Sequence, residues 1–288
     1  MTSDVVAISS PAPGRMPTER SSVPPVMLLQ GDAGTAGACL PAGSFDLLYV
    51  DPPFFSGRRR RGRAGPGFRD QWGDDIDRYQ GWLMPRLAGM RDLLAPSGSL
   101  IVHLDWHAVH PVKVALDHLF GRAQFINEII WSYRTGGTSA RWLARKHDTL
   151  LLYARTPDYK FHPLRERSYL RHHYGFGNVT ILRDARGPYR WTGLRDVWEI
   201  PALRGNMPER VDFPTQKPLA LLRRIVRLLT DPRDLVGDLM CGSGTTLVAA
   251  AQLGRRAIGM DFSREALMLA ARRLREIEPL LPGTEDGP

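Results

Sequence analysis

Short apolar runs alternate with stretches of helical periodicity along most of the chain. The runs predict strands at Val26–Gln30, Phe45–Val50, Ser99–Leu104, Glu128–Tyr133, Thr149–Ala154, Leu235–Leu239 and Arg256–Asp261. Helical spacing predicts helices at Tyr79–Leu94, Val109–Leu119, Pro218–Leu229, Thr245–Leu253 and Arg264–Ile277. We expect Ala95–Gly98 to stop the first of these helices and Ser263 to be the N-cap of the last. This alternation is typical of an α/β fold with a mostly parallel sheet and helices on both faces. Such sheets bind ligands at the carboxyl ends of their strands.

The two ends of the chain lack this alternation. Residues 1–24 are rich in Ser, Pro and Thr and predict a disordered leader, and residues 279–288 predict a disordered tail. Between them we expect one α/β domain made of two halves, residues 25–155 and 211–278. Residues 156–210 show weak periodicity and many Arg and His, which predicts a small basic insertion between the halves.

Charge and cysteine content narrow the class of protein. The 288 residues include 39 Lys and Arg against 30 Asp and Glu, a net charge of +9 that favours a polyanionic partner. With only Cys39 and Cys241, a disulfide framework and a multi-cysteine metal site are excluded, and we predict no metal. No apolar run is long enough to span a membrane, and the first 25 residues lack a secretory apolar core. We therefore expect a cytoplasmic protein that meets nucleic acid.

A glycine-containing loop follows the predicted strand that ends near Asp238. Its sequence, Asp238-Leu239-Met240-Cys241-Gly242-Ser243-Gly244-Thr245-Thr246, lets the backbone turn sharply before a helix whose first N–H groups are open to an anion. Asp238 can accept a hydrogen bond from a ligand ammonium group. Asp261 ends the next strand, where an acidic residue commonly binds ribose hydroxyls. Phosphate-loop and dinucleotide spacings are both missing, so a nucleoside ligand without pyrophosphate fits best; the alternative is a tight strand–helix turn without a ligand.

A rigid corner, Asp51-Pro52-Pro53-Phe54, follows the apolar run Phe45–Val50. The two prolines fix the backbone and leave outward carbonyl groups without local partners. Asp51 and the Pro52 carbonyl can accept two N–H bonds from the amino group of a planar heterocycle, while Phe54 stacks on its ring. The alternative is a structural turn capped by the aspartate.

Together the two motifs resemble those of the amino-group DNA methyltransferases, which use S-adenosylmethionine. The catalytic motif comes first here, as in the circularly permuted beta class. Leu29–Asp32, Phe213–Leu219 and Gly259–Asp261 also resemble that family, and the likeness covers about residues 26–277. Two positions depart from the pattern: Met240 stands where the family usually has Phe, and Phe55 follows the corner where relatives often have Asn.

This resemblance implies a permuted Rossmann-like methyltransferase fold with a catalytic half at 25–155, a target-recognition region at 156–210 and a cofactor-binding half at 211–278. The implied catalytic residues are Asp51, Pro52, Pro53 and Phe54. The implied cofactor-binding residues are Asp32, Lys217, Asp238, Met240, Cys241, Gly242, Ser243, Gly244, Thr245 and Asp261.

The implied activity is methyl transfer from S-adenosylmethionine to the amino group of a base flipped out of double-stranded DNA. Asp in the first position of the catalytic motif resembles the adenine-N6 enzymes more than the cytosine-N4 enzymes, which stay an alternative. An RNA or protein amino-methyltransferase and a DNA-binding relic disabled through Met240 also stay open.

Charge distribution indicates where DNA binds. Residues 134–210 hold 15 Lys and Arg against 7 Asp and Glu, and a second basic run, Arg58–Arg61 with Arg63, predicts a loop that closes on the DNA backbone. The resemblance further implies a homodimer and a cognate restriction endonuclease as partners.

Overall fold

The computed structural model describes residues 5–6, 24–55, 59–60, 68–69, 72–134, 137–169, 179–205, 207–211 and 213–278. The strands are β1 Val5–Val6, β2 Val26–Gln30, β3 Phe45–Val50, β4 Arg59–Arg60, β5 Phe68–Arg69, β6 Leu94–Leu104, β7 Phe125–Ser132, β8 His147–Ala154, β9 Arg165–Tyr169, β10 Leu182–Asp184, β11 Gly187–Gly193, β12 Val197–Glu199, β13 Leu235–Asp238 and β14 Arg256–Asp261. The α-helices are α1 Ala36–Cys39, α2 Ile76–Leu93, α3 Val109–Phe120, α4 Leu219–Leu229, α5 Thr245–Gln252 and α6 Arg264–Arg275, and 3₁₀ turns lie at Ala33–Thr35 and Arg122–Gln124.

Most of the described strands belong to one sheet. Its nine strands lie in the order β1-β2-β14-β13-β3-β6-β8-β7-β12. The run from β2 to β6 is parallel, and β8 is antiparallel to both of its neighbours. Strands β14 and β13, from the carboxyl-terminal part of the chain, lie between β2 and β3, from the amino-terminal part. The predicted fold, a mostly parallel α/β sheet in permuted chain order, is therefore confirmed.

Alternating side chains of the central strands build one core on each face of the sheet. Leu48 and Val50 of β3 pack in the core that also holds α1, α2 and α3. Leu47 and Tyr49 point to the opposite core, with α4, α5 and α6. Since both faces of β3 are covered, nearly all of its side chains are buried, as expected for a central strand of a parallel sheet.

Several element boundaries differ from the sequence prediction. Helix α2 begins at Ile76, because the Asp75 side chain accepts a hydrogen bond from Arg78 N at 2.9 Å and caps the helix there. Helix α2 stops before Ala95–Gly98 as predicted, but β6 begins at Leu94 instead of Ser99 and includes this segment. Its pairing with β3 is irregular here, because Phe45 pairs with Leu94 and Leu47 pairs with Ser99. A Cβ at Gly98 would lie 2.4 Å from the Phe45 carbonyl oxygen, so this glycine permits close strand pairing.

Helix ends show the same kind of difference. Pro218 is the N-cap of α4 and lies outside the helix, which begins at Leu219. Helix α5 ends at Gln252 and α6 at Arg275, slightly short of their predicted ends. The predicted N-cap of α6 is confirmed, because Ser263 Oγ accepts a hydrogen bond from Ala266 N at 3.2 Å.

The predicted insertion, 156–210, contributes to two sheets. Strands β10, β11 and β9 form a small antiparallel sheet, whereas β12 pairs in parallel with β7 and extends the central sheet. Val5 and Val6 pair with the edge strand β2, which departs from the prediction of a wholly disordered leader, because an edge strand offers unpaired backbone groups to a short apolar run. The rest of the leader, the tail and most of the basic run at 58–63 lie outside the described residues.

Candidate active site

The two sequence motifs meet where β3 and β13 end. These strands are parallel neighbours, with Asp238 in register with Tyr49, so the corner after β3 and the loop after β13 leave the sheet side by side. A cavity lies between them. Its lining includes thirteen of the fourteen predicted site residues: Asp32, Asp51, Pro52, Pro53, Phe54, Lys217, Asp238, Met240, Cys241, Gly242, Ser243, Thr245 and Asp261.

The conformation of the glycine loop explains its two glycines. Gly242 has φ +49° and Gly244 has φ +74°, values that favour glycine. A Cβ at Gly242 would lie 2.9 Å from the Phe213 ring, and one at Gly244 would lie 2.7 Å from Ala270 Cβ in α6. Gly244 is the predicted site residue that does not line the cavity. It lets the loop pack against α6, so its contribution to the site is structural.

A partly buried arginine, which the sequence did not reveal, braces the same loop. Arg273 of α6 donates through Nη1 to Ser243 O at 2.7 Å, to Ser243 Oγ at 3.2 Å and to Thr245 Oγ1 at 2.9 Å. Burial lowers the pKa of this guanidinium from its usual range. A helical Arg gives no sequence signal of such contacts, because they depend on how α6 lies against the loop thirty residues earlier.

Two buried carboxylates flank the loop. Asp238 accepts hydrogen bonds from Thr246 Oγ1 at 2.6 Å and from Met240 N at 3.2 Å. Burial, with smaller contributions from the charges of Asp51 and Asp261, outweighs these bonds and raises the pKa of Asp238 to about 7. Asp261 accepts from Gly242 N at 2.8 Å and from Ser263 N, and burial raises its pKa above the ordinary value. A bound cation or hydroxyl donors in the cavity would therefore stabilise the ionised carboxylates of Asp238 and Asp261.

Asp51 lines the same cavity and forms an ion pair with Lys217 through Oδ2. The Lys217 ammonium also lies 5.1 Å from the centre of the Phe54 ring. Lys217, expected to bind the cofactor, therefore contacts the predicted catalytic residue directly. The other oxygen, Asp51 Oδ1, is buried and accepts no hydrogen bond from any described residue. A buried carboxylate oxygen without a donor indicates a place where a ligand N–H or O–H binds.

A row of buried polar side chains supports the Phe54 side of the corner. Tyr49 OH lies 2.7 Å from His103 Nδ1, and His103 Nε2 lies 3.2 Å from Asp148 Oδ2. Asp148 Oδ1 accepts from Tyr133 OH at 3.1 Å. The His103 ring centre lies 5.9 Å from that of Phe54. These residues come from four segments of the chain, so only the sheet order brings them together.

Asp32 lies at the far wall of the cavity. Its Oδ1 accepts from Gly34 N at 2.6 Å and its Oδ2 from Arg86 Nη2 at 2.8 Å. Partial burial opposes ionisation, but the hydrogen bonds from Arg86 and Gly34 prevail and lower the Asp32 pKa. Arg86 in turn lies 4.3 Å from the centre of the Trp82 ring. Arg86 and Trp82 line the cavity and were not anticipated from the sequence, although their spacing of four residues places them on one helix face.

The chemistry of the lining excludes a thiolate nucleophile. Cys241 is buried, and burial raises the pKa of its thiol well above the ordinary value, which keeps it protonated at neutral pH. In the described ranges, no three His, Cys, Asp or Glu residues converge as a metal-binding group. What the cavity offers is carboxylates, an open acceptor at Asp51 and apolar surface from Phe213, Met240 and Phe262.

The chain is similar in sequence to known proteins. A family model described as DNA methylase matches residues 45–272. The DNA adenine methyltransferase YhdJ of Escherichia coli K12 is 28% identical over 257 residues, covering 86% of this chain and 82% of that protein.

Solved structures share the fold. PvuII DNA methyltransferase, named as cytosine-N4-specific, aligns with a TM-score of 0.59 and 17% identity over 89% of this chain and 88% of its own. M1.HpyAVI, in a complex with SAM, aligns with a TM-score of 0.56 and 19% identity over 86% of this chain and 98% of its own.

Proposed function

Because the chain belongs to the DNA methylase family, we propose that it transfers a methyl group from S-adenosylmethionine to the exocyclic amino nitrogen of a flipped DNA base, adenine N6. One observation carries the proposal: the open acceptor Asp51 Oδ1 lies in the same cavity as the glycine loop after β13. The groups proposed to bind the amino group and the methyl donor therefore line one cleft.

The residues present fit S-adenosylmethionine. Asp238, with its raised pKa, is stabilised as a carboxylate by a ligand ammonium group, and Asp261 is placed to accept from ribose hydroxyls. Thr245, the first residue of α5, lines the cavity, so the amino terminus of this helix is available to a ligand carboxylate. The Phe262 side chain is 61% exposed at the rim of the cavity and offers an aromatic face to a purine ring.

The catalytic corner activates a weak nucleophile. The lone pair of an exocyclic amino group is delocalised into the base, and two hydrogen bonds, to Asp51 Oδ1 and to the Pro52 carbonyl, localise it on the nitrogen. Phe54 stacks on the extruded ring and, with the buried row behind it, fixes its plane. S-adenosylmethionine, when bound, would supply an electrophilic methyl group on its sulfonium, with the neutral thioether as the leaving group.

The proton balance closes at the same corner. A new N–C bond forms as the S–C bond breaks, and the positive charge passes from sulfur to the nitrogen of the base. That nitrogen then releases a proton, and the Asp51 carboxylate, already hydrogen-bonded to it, is the adjacent acceptor. Lys217 holds the other oxygen of Asp51 and so fixes the direction in which Oδ1 points.

The choice of adenine rests on two supports. Asp51 in the first position of the motif resembles the adenine-N6 enzymes, and the relative YhdJ is named a DNA adenine methyltransferase. Cytosine N4 carries the same amino chemistry, and PvuII DNA methyltransferase shows that this fold also serves it. Transfer to cytosine N4 is therefore the second candidate function.

Partners follow from this activity. Double-stranded DNA is the proposed substrate, held by the basic segment 134–210 through salt-dependent phosphate contacts. We also propose a homodimer, a cognate restriction endonuclease and a cytoplasmic location as expectations for such an enzyme. Among the described residues, no helix combines the length and apolar character needed to cross a bilayer.

Two tests separate these functions. Methylome sequencing of DNA from cells that express the protein identifies the modified base and its sequence context together. We expect N6-methyladenine at one defined sequence; N4-methylcytosine there supports the second candidate, and unmodified DNA contradicts both. The relic hypothesis predicts in addition that purified protein does not bind S-adenosylmethionine, which calorimetry measures directly.

A further inference from the structure

A loop of residues 137–146, named here the Trp142 loop, lies at the same edge of the sheet as the catalytic corner. Strand β3 runs parallel to β6, with Val50 in register with Val102. Strand β8 is antiparallel to β6, with Thr149 opposite Leu104. The segment that enters β8 therefore approaches the sheet at its carboxyl edge, where Asp51 also lies.

A stack of side chains braces the Trp142 loop. The Arg145 guanidinium lies 3.6 Å from the centre of the Trp106 ring and 5.7 Å from that of Trp142. The rings of Trp106 and His107 are 3.7 Å apart between centres. His107 is held in turn, because Asp105 Oδ2 lies 2.7 Å from its Nδ1 and Asp105 Oδ1 accepts from its N. Trp106 and the base of the loop are thus preorganised on the end of β6 and the start of α3.

The tip of the loop exposes its largest apolar side chains to solvent. Leu143 is 92% exposed and Trp142 is 57% exposed. Large apolar groups presented in this way indicate an interaction site rather than a core.

Charge around the tip favours one kind of partner. Residues 134–146 contain four cations, Arg134, Arg141, Arg145 and Lys146, and no acidic residue. An apolar tip within a purely basic segment complements a duplex, whose backbone is anionic and whose stacked base pairs are apolar.

We propose that the Trp142 loop enters the DNA duplex beside the target base and that Leu143 fills the space left when this base is extruded. The inference rests on the proposed function and assigns a residue to the base-flipping step. Extrusion costs the stacking and pairing of the base, and an apolar side chain in the vacated stack offsets part of that cost. Arg145, stacked on Trp106, supports the loop while this happens.

The test compares two truncations of exposed apolar side chains. Leu143→Ala shortens the proposed wedge, and the control Met268→Ala shortens a 65% exposed side chain on α6, away from the loop. Each variant is assayed with a matched duplex that carries the methylated sequence and with the same duplex holding an abasic site opposite the target base. The second duplex has already lost the pairing that the wedge must overcome.

The proposal predicts a selective defect. Leu143→Ala lowers kcat/KM on the matched duplex by about tenfold and stays within about threefold of the native protein on the abasic duplex, whereas Met268→Ala matches the native protein on both. With 2-aminopurine at the target position, the fluorescence increase on binding is smaller for Leu143→Ala. Thermal melting of both variants stays native, since neither side chain is buried.

Other outcomes overturn it in distinguishable ways. Native activity of Leu143→Ala on the matched duplex, or an equal loss on both duplexes, excludes a wedge while leaving the methyltransferase function in place. A dimer-to-monomer change in sedimentation for Leu143→Ala shows instead that the tip contacts a second copy of the chain. Failure of the native protein to methylate either duplex removes the proposed function itself.

Discussion

A lysine–aspartate ion pair lies at each end of the neighbouring strands β3 and β13. The two ends differ in whether both oxygens of the aspartate have a hydrogen-bond donor. At the amino end, Lys160 binds Asp46 at 2.9 Å and Asp234 at 2.6 Å. The remaining Asp46 oxygen accepts from Leu235 N at 2.9 Å. At the carboxyl end, Lys217 binds Asp51, and the second Asp51 oxygen has no donor among the described residues.

This difference separates a structural ion pair from a binding site. Burial alone would lower the Lys160 pKa, but hydrogen bonds to Asp234 and Asp46 prevail and raise it, so the amino end is internally satisfied. The carboxyl end has an open acceptor at Asp51 and, nearby, Asp238 and Asp261, whose pKa values burial raises. A native fold keeps such groups where a ligand completes them.

The largest effect should come from removal of Lys217, the lysine at the carboxyl end of the strands. We expect Lys217→Met to lower kcat by about 100-fold, because Asp51 loses the cation that orients its second oxygen, while the Kd for S-adenosylmethionine changes little. Steady-state kinetics and calorimetry measure both quantities, and Lys217→Arg should restore part of kcat. A large loss of cofactor affinity with kcat retained would show that Lys217 binds the cofactor, as the sequence suggested.

Titration of Asp238 should make cofactor binding at the carboxyl end depend on pH. Its pKa of about 7 means that a cationic ligand binds best once the carboxylate is ionised. We therefore predict that the affinity for S-adenosylmethionine rises about tenfold between pH 6 and pH 8. Calorimetry across this range, with Asp238→Asn as the control, should give a slope in the native protein and none in the variant. An equal slope in Asp238→Asn would assign the titration to another group.

Removal of Lys160, the lysine at the amino end, should lower the stability of the protein and leave kcat unchanged. Lys160→Met leaves Asp46 and Asp234 without their shared cation, so we expect a loss of roughly 1–3 kcal/mol in unfolding free energy. Native kcat should persist below the melting temperature, because the site lies at the other end of the strands. Denaturant unfolding and kinetics on the same preparation check this, and a loss of kcat without a loss of stability would contradict it.

The smallest expected effect concerns the departure from the family pattern at Met240. This partly buried side chain lines the cavity and packs against the core shared with α2. We predict that Met240→Phe changes the Kd for S-adenosylmethionine by about two- to threefold, since methionine and phenylalanine fill similar volumes. A change above tenfold would show that this position controls cofactor binding.

The sequence predicted a strand or helix well where the apolar pattern of its own residues determines its bounds. The apolar runs at Phe45–Val50 and Arg256–Asp261 match β3 and β14 residue for residue. It placed the start of β6 at Ser99 instead of Leu94, because Pro and Gly at 95–98 disfavour a strand. Gly98 lies close to the Phe45 carbonyl oxygen, a contact between distant residues that composition does not encode.

In the candidate site, too, the sequence identified some residues, but it could not identify contacts between distant segments. Asp51, Asp238 and Asp261 were identifiable because each directly follows or ends an apolar run. The contacts of Arg273 and His103 were not, because they join segments that only the folded sheet brings together. Lys217 was recognised by resemblance, but its partner, Asp51, lies 166 residues away and could not be read from spacing.

The most direct test of the central claim, that the carboxyl end of β3 and β13 is the site of methyl transfer, is Asp51→Ala. Transfer of labelled methyl from S-adenosylmethionine to DNA is measured alongside cofactor binding on the same preparation. We expect transfer to fall by at least about 1,000-fold while the cofactor still binds. Turnover close to the native rate, with the product unchanged, would contradict the assignment of Asp51 and with it the site.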